Sequence, residues 1–169
     1  MTTDEAFETV VPITADIVVG LNDSPSAAAA LRWSADQSRL TGLPLRVMHV
    51  WQLRAIDVTG AAGLWEAASA DSRARATRWV LDILGGDAAE VRWSLHIVEG
   101  PPGPALVDCS RGSRLLVLGS REHAGLRRAF LGSVSRYCLS HAVPPVVAVP
   151  ASQPAQAPAA PHPDVLSRS

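Results

Sequence analysis

Three short segments carry the residue types and spacings best suited to chemistry. The longest is the run Gly119 to Ser135, GSREHAGLRRAFLGSVS. It exceeds the roughly 2 to 6 residues of an ordinary strand-to-helix turn, and glycines stand at 119, 125 and 132. Gly119 follows an apolar run, where a missing side chain would let a ligand approach the backbone. Gly132-Ser133 opens a helical pattern whose free N–H groups and positive dipole end suit a phosphate. Arg121, Arg127 and Arg128 would add positive charge. The same run reads equally as an Ω-loop with capping glycines and solvated arginines. The second segment is Leu21-Asn22-Asp23-Ser24, and the third is His49-Val50-Trp51.

Other reactive side chains have plainer readings. No GxSxG elbow surrounds Ser120 and no HExxH or paired-carboxylate pattern occurs, so no residue is assigned a catalytic or metal-binding role. Asp23 and Glu122 read as solvent-facing acids. His49 reads as a hydrogen-bonded core histidine, His123 as a candidate contact over the loop, and His96 and His141 as residues without an acidic partner. Cys109 and Cys138 match no CxxC pattern and read as reduced structural thiols. Trp33, Trp51, Trp65, Trp79 and Trp93 read mostly as packing residues.

The elements that would position these segments follow from periodicity. Ile17-Val18-Val19, Leu115 to Leu118 and Val146 to Val149 are unbroken apolar runs, as in strands buried on both faces. Leu45 to Trp51 and Val91 to Val98 alternate more, as strands nearer an edge do. Between them lie helical patterns. Ser24-Pro25 supplies an N-cap and a first-turn proline for a helix reaching about Arg39, ended by Gly42 and Pro44. Trp65, Ala68, Ser72, Ala76, Trp79 and Ile83 recur at three- and four-residue steps and predict one core-facing stripe. Asp71 with Arg75 and Arg78 with Asp82 are spaced for ion pairs on the other side, and Gly85-Gly86 stops that helix. Short helices are expected over Pro104 to Ser110 and from Ser133 to about His141. Regular strand–helix alternation implies an α/β sandwich on a mostly parallel sheet. Ligands of such sheets bind beyond the C-terminal strand ends, where all three segments converge.

Composition narrows the function. The 169 residues suit one domain, are 47% hydrophobic, and carry 15 basic against 16 acidic side chains. That balance argues against broad binding to nucleic acid or to an anionic membrane. All 15 basic residues are arginine. Without lysine there can be no GxxxxGK[ST] phosphate loop, no kinase-type strand lysine and no Schiff base. Residues 1–13 read as an N-terminal extension without a signal-peptide pattern, 14–150 as the domain, 52–63 as a flexible connection, and the Pro/Ala-rich 151–169 as a disordered tail. No run approaches the roughly 18 apolar residues of a membrane span, so a cytoplasmic protein is expected. The arginine- and alanine-rich, lysine-free composition points to a GC-rich bacterial genome.

Three stretches together carry a family resemblance: IVVGLNDSPSAAAALRWSADQSRLTGLPLRVMHVW, IVEGPPGPALVDCSR and LGSREHAGLRRAFLGSVSRYCLSHAVPPVVAVP. Over about residues 14 to 150 the chain resembles the universal stress proteins. The resemblance implies a three-layer, adenine-nucleotide-hydrolase-like fold with a five-stranded parallel sheet ordered 3-2-1-4-5, and homodimers formed along the last strand. It also implies a cytoplasmic regulatory module of the stress response. Members that bind ATP carry G-x2-G-x9-G-[ST]. Here that loop is degenerate, with Gly119, Gly132 and Ser133 in place and Glu122 where the second glycine belongs. Where the family often has Asp-Gly-Ser after the first strand, this chain has Asn22, Asp23 and Ser24, and loses a charge that would help hold a metal.

Carried over position by position, the resemblance implies an adenine-nucleotide site of Leu21, Asn22, Val50, Leu118, Gly119, Arg121, Gly132, Ser133, Val134 and Ser135. ATP, with magnesium, would be its ligand, and adenine would meet backbone near Val50. The alternative is a non-nucleotide-binding member of the family acting through protein–protein contacts. Any ATP hydrolysis would be slow and incidental, since neither a general base nor a phosphate-clamping lysine is apparent. An enzyme on a related sheet would need an SGGxDS-type loop, and LNDSPS lacks its glycines.

Overall fold

A computed structural model describes residues 15–52, 63–120 and 132–151. Its elements run β1 (Ile17–Gly20), α1 (Pro25–Thr41), β2 (Leu45–Trp51), α2 (Leu64–Leu84), β3 (Trp93–Glu99), α3 (Pro102–Cys109), β4 (Leu115–Ser120), α4 (Ser133–His141) and β5 (Val146–Pro150). All neighbouring strands pair in parallel, and the five-stranded sheet has the order β3-β2-β1-β4-β5. This is the α/β architecture and strand order expected. The N-terminal extension, the 53–62 part of the expected connection, the tail from 152 onward, and the loop residues Arg121, Glu122, His123, Gly125, Arg127 and Arg128 lie outside the described residues.

Because side chains alternate along a strand, the central strands feed two cores. Ile17 and Val19 of β1 join Leu45, Val47 and Val117 beneath Ala27, Ala30, Leu31 and Ala35 of α1 and Val80 and Leu84 of α2. Val18 points the other way, with Met48, Leu116 and Leu118, toward Leu106 and Val107 of α3 and Cys138 of α4. Ile17, Val18 and Val19 are wholly buried, each contributing about 1.5–3 kcal/mol of transfer free energy. Three layers result, two helices on each face of the sheet.

Some local expectations are corrected. Val146 to Val149 reads as a strand buried on both faces, yet β5 is an edge strand and its residues are only half-buried. The apolar run reflects a strand covered by helices with one unpaired edge. Leu45 to Trp51 becomes an inner strand, and the outer position belongs to β3. On α2 the stripe is rotated: Ser72, Ala76, Val80 and Leu84 are buried, while Trp65 is 48% exposed. Asp71 and Arg75 pair at 3.2 Å, whereas Arg78 and Asp82 form no ion pair. α3 begins two residues earlier than expected, at Pro102, a proline in the first turn where its missing N–H is not needed.

Candidate functional site

The chain connects β1 to β2 on one side of the sheet, while β4 follows from the other, so the strand order reverses between β1 and β4. That reversal opens a crevice beyond the carboxyl ends of these strands. Leu21 leaves β1 with its N–H donating to the carbonyl of Met48 at 2.8 Å. The ring Nδ1 of His49 donates to the carbonyl of Leu21 at 2.9 Å, and the imidazole stands edge-on to Trp79, centroids 5.5 Å apart. His49 is thus the buried, hydrogen-bonded histidine that was expected. It fixes the direction in which Asn22 departs.

The next residues close the start of α1. The hydroxyl of Ser24 accepts from the N–H of Ala27 at 3.2 Å and donates to Asn22 Oδ1 at 2.6 Å. Ser24 is therefore a true N-cap, with Pro25 inside the first turn. Across from it, a Cβ on Gly119 would fall 2.5 Å from the carbonyl carbon of Ser26 and 2.7 Å from the nitrogen of Ala27. The space beside Gly119 is filled by the first turn of α1. Gly119 nevertheless lines the cavity described below.

α4 starts differently. Gly132 occupies its N-cap with φ −59°, ψ 165° and no side-chain cap. The first bond back to Gly132 comes from the N–H of Arg136, at 2.9 Å. The N–H groups of Ser133, Val134 and Ser135 therefore have no partner within the helix. Ser135 ties this turn to the sheet by donating its hydroxyl to the carbonyl of Gly119 at 3.1 Å.

Between the two helix starts lies a cavity of about 310 Å³, at the small end of the range for ligand pockets. Nine of the ten expected site residues line it: Leu21, Asn22, Val50, Leu118, Gly119, Gly132, Ser133, Val134 and Ser135. Arg121 lies outside the described residues. Ser24, from the Leu21–Ser24 segment, also lines it, and sequence reasoning missed Gly20, Ser26, Ala27, Met48, Pro102 and Leu106, which complete the wall. Gly20 and Ser26 lie beside a segment already singled out, whereas nothing local ties Met48, Pro102 or Leu106 to Gly132. One side of the wall is apolar (Met48, Val50, Leu106, Leu118); the other offers hydroxyls and the first-turn N–H groups of α4, which have no partner within the helix. Such a wall suits a flat, weakly polar ring joined to an anion. Among the described residues it presents no carboxylate or imidazole, hence no general base. No group of three or more His, Cys, Asp and Glu side chains among the described residues could hold a metal.

The remaining candidates are engaged elsewhere. Trp51 lies against Trp65, whose indole N–H donates to Glu99 at 2.7 Å. His96 pairs with Ser94, and His141 with the carbonyl of Tyr137 while stacking on its ring. Burial pushes the Cys138 thiol up to about 11. Burial also raises Cys109, against the lowering influence of Arg46 and with a further rise from Asp108. Both remain protonated near neutral pH and are poor nucleophiles.

Comparison with known proteins agrees with this geometry. The universal stress protein family model matches residues 15–150. A curated universal stress protein of Mycolicibacterium smegmatis is 30% identical over 141 residues, covering 79% of this chain and 47% of the relative. The chain thus spans about half the length of the curated relatives it matches. Among solved structures, a universal stress protein from Archaeoglobus fulgidus superposes with a TM-score of 0.62 at 22% identity, over 79% of this chain and 97% of that one. A universal stress protein from the same organism, solved in complex with dAMP, gives a TM-score of 0.56 at 25% identity, over 81% and 98%.

Proposed function

Because the chain belongs to the universal stress protein family, we propose that it is a regulatory module of the stress response whose state depends on an adenine nucleotide, ATP foremost, held in the cavity between α1 and α4. One observation carries the reading: residues far apart in sequence, from Leu21 to Ser135, converge on a single cavity whose polar wall ends in the uncapped start of α4. The positive end of that helix favours the phosphates, and the apolar wall around Val50 favours adenine. The dAMP complex of the Archaeoglobus relative supports the same ligand class. Titration of the purified protein, stripped of carried-over nucleotide, with ATP, AMP and GTP tests it. Micromolar binding of the adenine nucleotides with weaker GTP binding is expected. Absence of heat with all three at millimolar concentration would assign the chain to the alternative, a family member acting through protein contacts alone.

The module works by binding, and turnover of ATP is incidental. We also place it in the cytoplasm of a bacterium; its two cysteines are free, as a reducing compartment requires. Nucleic acid and membrane are not among its proposed partners, and no helix among the described residues is long and apolar enough to cross a membrane.

We further propose a homodimer along β5. The N–H of Leu116 donates to the carbonyl of Pro145 at 3.0 Å. In a parallel ladder this register turns the N–H and C=O of Val146 and Ala148 away from β4. Val143, three residues earlier, is 72% exposed. Unpaired edge groups beside apolar side chains favour a second strand. Sedimentation should show a dimer at micromolar concentration, and Ala148→Pro, which removes an outward N–H, should shift it to monomer. A wild-type monomer would refute the assignment.

A further inference from the structure

Magnesium is the metal that the family resemblance attaches to this site, and the donor set does not fit it. Protein-bound Mg²⁺ is usually held by one or two carboxylates together with substrate phosphates. The polar side chains lining the cavity among the described residues are Asn22, Ser24, Ser26, Ser133 and Ser135; none is anionic. Asp23, next to Asn22, is exposed and does not line the cavity.

The hydrogen bonds around Asn22 go further, because they fix which way its amide faces. The Ser24 oxygen accepts from the N–H of Ala27 at 3.2 Å and lies 3.3 Å from the Ser26 hydroxyl, which can donate into its second lone pair. With Ser26 as that donor, the single hydrogen of Ser24 goes to Asn22 Oδ1 at 2.6 Å. The α1 cap thus uses one lone pair of Asn22 Oδ1, and the neutral amide carries in Nδ2 a two-hydrogen donor that repels a cation and attracts a ligand oxygen.

Resting on the nucleotide reading above, we infer that this site takes its nucleotide without a divalent cation, Asn22 Nδ2 donating directly to a ligand oxygen where a carboxylate would hold the metal. The substitution reverses the polarity of the site at one residue: phosphate charge is met by N–H donors from Asn22 and from the start of α4, and among the described residues no carboxylate lines the cavity to hold a metal bridge.

Calorimetric titration of the full chain with ATP, once in EDTA and once in excess MgCl₂, tests this, with Asn22→Asp run in parallel. The wild type should bind in EDTA with an affinity equal to or better than that in magnesium, within about threefold. Asn22→Asp should lose about tenfold in EDTA and recover it when magnesium is supplied. Wild-type binding tighter by about tenfold or more in magnesium would overturn the inference and leave the nucleotide reading intact. An Asn22→Asp variant with unchanged affinity in EDTA would also overturn it. No binding in either buffer would remove the nucleotide reading and this inference with it.

Discussion

Two helices begin at the same cavity, and they begin in opposite ways. α1 is closed: Ser24 caps it, Pro25 needs no hydrogen-bond partner, and its first turn fills the space beside Gly119. α4 is open: Gly132 brings no side chain to the cap, and three backbone N–H groups remain without a helical partner. A serine or aspartate cap gains only a few tenths of a kcal/mol over glycine at the same position. The side-chain cap at α1 and its absence at α4 fit the proposal that α1 is a structural wall and α4 the phosphate end.

The contrast can be broken most severely at Gly119. Gly119→Ala forces a methyl into the backbone of Ser26 and Ala27, and neither neighbour can rotate away. Urea denaturation should show a loss of about 3 kcal/mol. A loss below about 1 kcal/mol would mean that α1 is not pressed against β4 as described.

A slightly smaller effect, on binding instead of folding, is expected at Gly132. Aspartate is a good N-cap, and the native φ of −59° suits it. Gly132→Asp should therefore hold stability or raise it by a few tenths of a kcal/mol, while its carboxylate takes the anion's place and weakens ATP binding about 100-fold. The opposite trend in the two readouts separates a ligand site from a merely imperfect cap.

The smallest effect sharpens the other side of the comparison. Ser24→Ala should cost about 1 kcal/mol in denaturant titration, and Ser24→Asp should restore most of it. The same aspartate thus substitutes for the native cap at α1 and competes with the ligand at α4.

How much of this was legible depended on how local the cause was. Ser24-Pro25 announces a helix start because cap and first turn are adjacent in sequence, and the alternation of apolar runs with helical stripes dictated the parallel sheet. Nine of the site residues implied by the family resemblance line the cavity, all of them at strand ends or at a helix start. Met48, Pro102 and Leu106 were not, because their approach to Gly132 arises only when α3 and α4 pack on one face of the sheet. Gly119 was recognised as a place of close approach and it lines the cavity, but a sequence shows only that a side chain is missing, not that the first turn of α1 packs against the same glycine. Trp65 was placed in the core by its spacing, but the stripe of α2 turns by about one position, and the ring lies outside against Trp51. The apolar content of β5 reports helix coverage of its faces and is silent about which edge is unpaired.

The central claim is that the open start of α4 holds the phosphates of an adenine nucleotide, and calorimetry of wild type beside Gly132→Asp tests it most directly. The account predicts micromolar or tighter ATP binding by the wild type, its loss in Gly132→Asp, and an undiminished denaturation midpoint in the variant. Equal ATP affinity in both proteins would contradict it.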